Sequence, residues 1–212
     1  MGVRSKAATT AGSKLAPKYA GTFVRGMLDR AIDGVGPLRS AAAAADARLV
    51  DHGGDVEAAL AAWTRQHAAW AGAQGFVTNV GGLATYAVSV PANVVGVTLV
   101  QCHLVAGVAH LRGYDLENPR VRNAILACML GEDSVRSLVK KHRLPSSPMA
   151  LATSPVHDPA LDATLSREVT SEILARAAGK RAVTLIGRRV PLVGGAVGAS
   201  SDALATWQIG QY

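Results

Sequence analysis

The chain has 212 residues, long enough to bury a full core and suited to one domain with a tail rather than two. Only 17% of residues are charged, against a usual share of about 25%, and 49% are apolar, with many alanines and valines and 22 glycines. Two cysteines, Cys102 and Cys128, with no CxxC, exclude a disulfide framework or a cysteine zinc site and read as reduced buried thiols. The net charge of +7 suits an anionic partner: lipid, nucleic acid or an acidic protein surface.

Residues 1–20 read as a flexible basic tail. Arg4, Lys6, Lys14 and Lys18 stand there without an acid, and no apolar run marks a signal peptide. Residues 21–212 read as one helical domain. Phe23, Met27, Leu28 and Ile32 recur at helical spacing over 22–32. Gly34, Gly36 and Pro37 stop that helix. A second, alanine-rich helix is expected from Leu38 to Val50, broken at His52, Gly53 and Gly54. Asp55 is a helix cap with Glu57 in the first turn. Leu60, Trp63, His67 and Trp70 then form a stripe that reads as a core face.

The most unusual stretch follows. From Ala68 to Leu111 there is no Asp, Glu, Lys or Arg in 44 residues. Gly82, Thr85, Ser89, Ala92 and Gly96 repeat within it at three- and four-residue spacing, a face on which another helix lies closely. Pro91 is expected to kink or break this helix. The run is long enough to cross a bilayer, but Asn93 and Gln101 would each need a polar partner in lipid. Two readings stand: a buried hairpin or central helix of a soluble fold, and a segment that inserts into or lies against a membrane.

After Gly113 comes a turn, and Asn118-Pro119 opens a helix with Val121, Ile125, Cys128 and Met129 on its apolar face. The next helix starts at Glu132 or Asp133 and ends in Arg136, Lys140, Lys141, His142 and Arg143. Residues 144–158, with Pro145, Pro148 and Pro155, read as a mobile or extended loop. Asp158-Pro159 begins a helix carrying Leu161, Leu165, Val169, Ile173 and Leu174, which Gly179 is expected to interrupt. The last segment holds Gly194, Gly195, Gly198 and Ala199 at four-residue spacing. This second small-residue face is a natural partner for the first. The fold class expected is all-α, a compact multi-helix domain. Its centre is the long, Pro-kinked uncharged segment, packed on the C-terminal glycine-rich helix.

Three segments together resemble the EcsC family. They are Gly75-Phe-Val-Thr-Asn-Val-Gly-Gly running into Val90-Pro-Ala-Asn; Gln101 to His110 into Gly113-Tyr-Asp-Leu-Glu-Asn-Pro and the Arg122–Gly131 helix; and Lys180-Arg-Ala-Val through Val190-Pro-Leu-Val-Gly-Gly-Ala-Val-Gly to Asp202. The resemblance covers about residues 55–212, and family members often carry an arginine where this chain has His103. It implies a bacterial, membrane-associated protein with no settled enzymatic activity. The family takes its name from an operon that also encodes an ABC transporter.

Catalytic motifs are not found. There is no GxxxxGK[ST], no GxSxG and no HExxH, and neither a metal nor a cofactor is expected. Asn79, Asn93, Gln101, His103 and His110 are polar groups in apolar sequence. They read as satisfied core residues or as a small-ligand or enzyme pocket at the Pro91 break. His103 and His110 are seven apart, on one helical face. Arg136, Lys140, Lys141, Arg143, Arg176, Lys180, Arg181, Arg188 and Arg189 are candidates for an anionic surface. No helix-turn-helix or basic-aromatic pattern favours nucleic acid. The expected function is therefore a cytoplasmic, membrane-peripheral protein that binds anionic lipid or a membrane protein related to an ABC transporter. A pocket binder or enzyme is the alternative, and a cytosolic nucleic-acid binder the third.

Overall fold

The computed structural model describes residues 22–80, 86–186 and 191–212, with side chains described over 22–74, 93–176 and 199–212. The basic tail expected at 1–20 lies outside the described residues. The fold is all-α: apart from one isolated bridge between Val35 and Leu38, the described residues contain no β-structure. In chain order the helices are α1 (22–33), α2 (Ala41–Asp51), α3 (Val56–Val80), α4 (Tyr86–Leu111), α5 (Pro119–Cys128), α6 (Glu132–Lys140), α7 (Pro148–Ala152), α8 (Pro159–Ile186) and α9 (Pro191–Gln211).

Local chemistry sets most of the boundaries. Gly34 adopts φ +90°, and a Cβ there would meet Leu38 O at 2.7 Å, so only glycine closes this turn without strain. The second helix starts three residues later than the alanine run predicts, because the Ser40 hydroxyl accepts from Ala43 N and caps it. Asp55 caps α3 through Ala58 N at 3.0 Å. Asn118 caps α5, with Pro119 in its first turn.

The proline-rich stretch 144–158 departs from the expected mobile or extended loop. Ser147 caps a short helix with Pro148 in its first turn, and Leu144, Pro148 and Leu151 are buried. Burying two leucines contributes on the order of 1.5–3 kcal/mol each, which pins the segment against α5. Neither Pro91 nor Gly179 breaks its helix. The backbone stays helical through Pro91 in α4 and Gly179 in α8. Pro91 lies in the second turn, so it removes only the amide bond to Ala87 O, and one glycine costs about 1 kcal/mol inside 28 helical residues.

The uncharged run is split between two elements. It covers the second half of α3 and all of α4, which run antiparallel. Trp63 lies on Gly107 and Gln74 on Gly96. Helix α9 runs antiparallel to α3 on another side: Gly72 meets Ala199 and Ala203, and Gly210 meets Thr64. Val80, Tyr86 and Pro191 therefore end at the same end of the bundle. Ile186 is joined to Pro191 by four residues, so it is no more than about 18 Å away.

The small-residue positions Gly82 and Thr85 lie outside the described residues, as do the side chains of Ser89 and Ala92 and the surroundings of Gly194, Gly195 and Gly198. Where close approach is described, it centres on α3. The main core lies where α1, α4, α5 and α8 meet, around Leu28, Cys102, Ile125, Leu126, Leu165 and Val169.

Candidate functional site

Within α4, every residue from Gln101 to Ala106 is buried. Among the described residues one segment, Asn93–Leu111, is long and apolar enough to cross a membrane, with mean hydropathy 1.7. Packing by α2, α3, α5 and α9 already accounts for its apolar middle. The exception is the end nearer Tyr86, where Val95 is 40% exposed.

The polar residues of α4 do not converge on one pocket. Gln101 donates to the Thr206 hydroxyl on α9 at 3.1 Å. His103 faces the other way, toward α3. His110 bonds Asp46 of α2 at 2.7 Å near the surface. Asn93 keeps a buried amide oxygen with no hydrogen-bond partner among the described residues. The side chain of Asn79 lies outside the described residues. A shallow cavity of about 490 Å³ includes His110 together with Asp33, Ser40, Tyr114, Asp115 and Glu117. Another, of about 330 Å³, is lined by Asp133, Glu168, Glu172 and three serines. Both are acid-lined and unsuited to an anion.

A buried histidine pair joins α3 to α4, and sequence reasoning found it only in part. His67 Nε2 and His103 Nδ1 stand 2.8 Å apart, both rings fully buried. His67 Nδ1 faces Trp63 O at 2.8 Å, and His103 Nε2 faces Arg39 O at 3.0 Å. The Trp63 indole lies 4.2 Å from the His67 ring and 5.1 Å from the His103 ring, centroid to centroid. Trp70 lies 4.9 Å from His67. Trp63 donates its indole N–H to Leu104 O at 2.9 Å. Trp70 itself is 40% exposed, so the expected core stripe ends one turn earlier, at His67.

Burial disfavours charge on either ring. It pulls His67 down to about 3, against the raising effect of the Trp63 carbonyl, with the positive charges of His103 and Arg48 adding to the fall. It pulls His103 down as well, opposed by the Arg39 carbonyl. Burial is the leading cause in both rings, and the neighbouring imidazole adds to it for His67.

A second network was not visible in the sequence. Arg25 of α1 donates through Nε to the Ser166 hydroxyl at 2.8 Å and through Nη2 to Asn123 Oδ1 and Asp162 O, each at 2.9 Å. Asn123 and His157 donate to Asp162 Oδ1 at 2.7 and 3.0 Å. A serine, a histidine and an aspartate meet here, but the Ser166 hydroxyl donates to Asp162 O, not to the histidine. The set ties α1, α5 and α8 together and lacks the geometry of an activated nucleophile.

Of the candidate cations, three are engaged within the protein. Arg136 pairs with Glu132 and Arg143 with Glu168. Arg176 pairs with Glu172 at 3.0 Å and donates to Leu130 O at 2.8 Å, closing the C-terminal end of α5. Lys140 and Lys141 are exposed and make no ion pair among the described residues. The side chains of Lys180 and Arg181, and all of Arg188 and Arg189, lie outside the described residues. No family profile, curated protein or solved structure matches this chain.

Proposed function

We propose that this domain is a non-enzymatic, membrane-associated helical protein on the cytoplasmic face of the cell membrane, binding anionic lipid or a membrane protein partner. The observation that carries the reading is the meeting of Val80, Tyr86 and Pro191 at one end of the bundle. The sequence between Val80 and Tyr86 is uncharged, and the sequence between Ile186 and Pro191 contains Arg188 and Arg189. Uncharged sequence thus leads into Tyr86 and cationic sequence into Pro191, a combination that suits an anionic interface at about 1 kcal/mol per well-placed cation.

Trp70 and Val95, both exposed, lie in the halves of α3 and α4 nearer that end. Aromatic and aliphatic side chains there favour a water–lipid boundary. The resemblance to the EcsC family points the same way and adds a transporter-related protein as a candidate partner. Against a pocket enzyme, Gln101 and His103 are already committed to partners inside the protein.

Liposome flotation tests the reading. Flotation with anionic vesicles, lost in high salt and weakened by Arg188→Glu/Arg189→Glu, supports a peripheral basic end. Flotation that survives salt supports insertion of uncharged sequence. Protein that stays at the bottom with every vesicle overturns the proposal, and salt-sensitive retention on nucleic acid in its place would favour the third reading.

A further inference from the structure

The contacts running through His67 and His103 need more protons than two neutral imidazoles carry. At one end His67 Nδ1 meets the Trp63 carbonyl, and at the other His103 Nε2 meets the Arg39 carbonyl. A carbonyl oxygen only accepts, so both outer nitrogens must carry hydrogen. Each neutral ring has one N–H, and both are then used. Between the rings, His67 Nε2 and His103 Nδ1 would meet at 2.8 Å with two lone pairs and no proton. A third proton turns that contact into a charge-assisted hydrogen bond.

Neither outer acceptor is free to turn away. Trp63 O belongs to the interior of α3. Arg39 O follows the tight turn in which Val35 and Leu38 exchange backbone bonds of 2.9 and 3.0 Å. Gly34 packs under that turn so closely that a Cβ would meet Ser40 N at 2.8 Å.

The surroundings of such a charge can be named element by element. On α3, Trp63 and Trp70 present aromatic rings near the pair, an arrangement that attracts a cation; Arg65 of the same helix is exposed. On α2, Arg48 opposes the charge but is itself bound to Asp51 and Gln66, and Asp46 bonds His110 of α4. Between Asn93 and Leu111, α4 has no other ionisable side chain besides the buried Cys102. The Arg39 side chain is exposed. Helix α9, packed along α3, carries the buried Asp202.

We propose that His67 and His103 form one proton-binding site, which holds a single shared proton between Nε2 and Nδ1 at neutral pH. One charge spread over two rings satisfies all three contacts, and these charge-assisted bonds offset the burial that disfavours charge on each ring taken singly; a second charge finds no further acceptor and is excluded by repulsion. The site joins the α1–α2 turn, α3 and α4. Loss of the proton breaks the central contact and loosens that joint.

The test needs only the intact wild-type chain, labelled with nitrogen-15 at histidine. Long-range proton–nitrogen spectra are followed from pH 5 to pH 9. At pH 7 the expected pattern has protons on His67 Nδ1 and His103 Nε2 and a third, strongly deshielded proton between the rings, lost from both rings in one step. The linked folding measurement has a definite sign. The folded pair holds one proton, whereas the two unfolded histidines, each near 6.5, hold two in acid and none in base, so the pair's contribution to stability is greatest near pH 6.5 and falls as pH rises toward the pair's own value. The unfolding constant then rises with pH above about 7, approaching tenfold per pH unit once the unfolded histidines are neutral, and His103→Gln abolishes the rise. Two neutral single-N–H rings at pH 7, or a wild-type unfolding constant with no rise between pH 7 and about 8.5 that His103→Gln removes, overturn the proposal.

Discussion

Trp63 lies flat across Gly107: a Cβ added to that glycine would stand 2.4 Å from the indole Cζ2 and 2.6 Å from Nε1. The contact sets the distance between α3 and α4 and holds the indole where it reaches Leu104 O and both histidine rings. Gly107→Ala therefore trades a gain in helix propensity of up to about 1 kcal/mol for overpacking of about 1–3 kcal/mol. The indole cannot yield without losing its hydrogen bond, so net destabilisation of about 1–2 kcal/mol is expected. Denaturant unfolding measures it. An unchanged midpoint would show that the helices separate freely.

The Asp162 network predicts a loss of stability in acid. Burial alone would raise the Asp162 pKa; the hydrogen bonds from Asn123 and His157 and the charges of Arg25 and His157 outweigh it and hold the carboxylate below its ordinary value. A depressed folded value means stability that is present above the unfolded pKa and lost as pH falls through the folded one. Asp162→Asn should lower stability at pH 7 and flatten the loss of stability as pH falls below about 4. Acid titrations of both proteins, followed by helical circular dichroism, compare them directly. Parallel curves would mean that the network carries no pH dependence.

How far such features can be read ahead depends on whether they are local. The caps at Asp55 and Asn118 are legible because a side chain meets an amide two or three residues on. The buried character of Gln101 and His103 follows from the apolar residues around them. Their partners do not, because Thr206 and His67 are 105 and 36 residues away. His67 was visible only as one member of a core stripe; the signal that pairs it with His103 is two helices folding back on each other. Likewise the expected loop at 144–158 hides a helix, since three prolines and several serines look alike as turn formers and as caps. Arg25 carries no local sign of its task, because its partners lie 98 to 141 residues away.

The two cysteines should be chemically silent in the folded protein. Burial pushes the Cys128 thiol up to about 12 and raises Cys102 further, with Cys102 packed against the Met129 sulfur at 3.3 Å. At pH 8 a thiol with that pKa is thiolate on the order of a thousandfold less often than a free cysteine. A colorimetric disulfide reagent should therefore modify both only as fast as the chain opens, with full reaction in denaturant. Prompt reaction of one thiol under native conditions would reveal a local opening, with α5 and its Cys128 as the first place to look.

Arg176 and the Lys140–Lys141 pair share a charge sign but do different work. The Arg176 guanidinium closes the end of α5 through the Leu130 carbonyl and the Glu172 carboxylate, while both lysines are exposed without an ion pair among the described residues. Removing Arg176 leaves carbonyl oxygens at a helix end without their donor, so Arg176→Ala should cost about 1–3 kcal/mol. If its charge is spent inside the fold, anionic vesicle binding measured on the folded fraction should change less than twofold. Lys140→Glu/Lys141→Glu should do the reverse. Stability should shift by less than about 0.5 kcal/mol, and vesicle affinity should fall if this face meets lipid as well as the far end of the bundle. Unfolding and vesicle titration of the same two variants separate a structural cation from a binding one. Equal losses of affinity in both would mean that the whole basic surface acts as one diffuse field, with no individual contact to the bilayer.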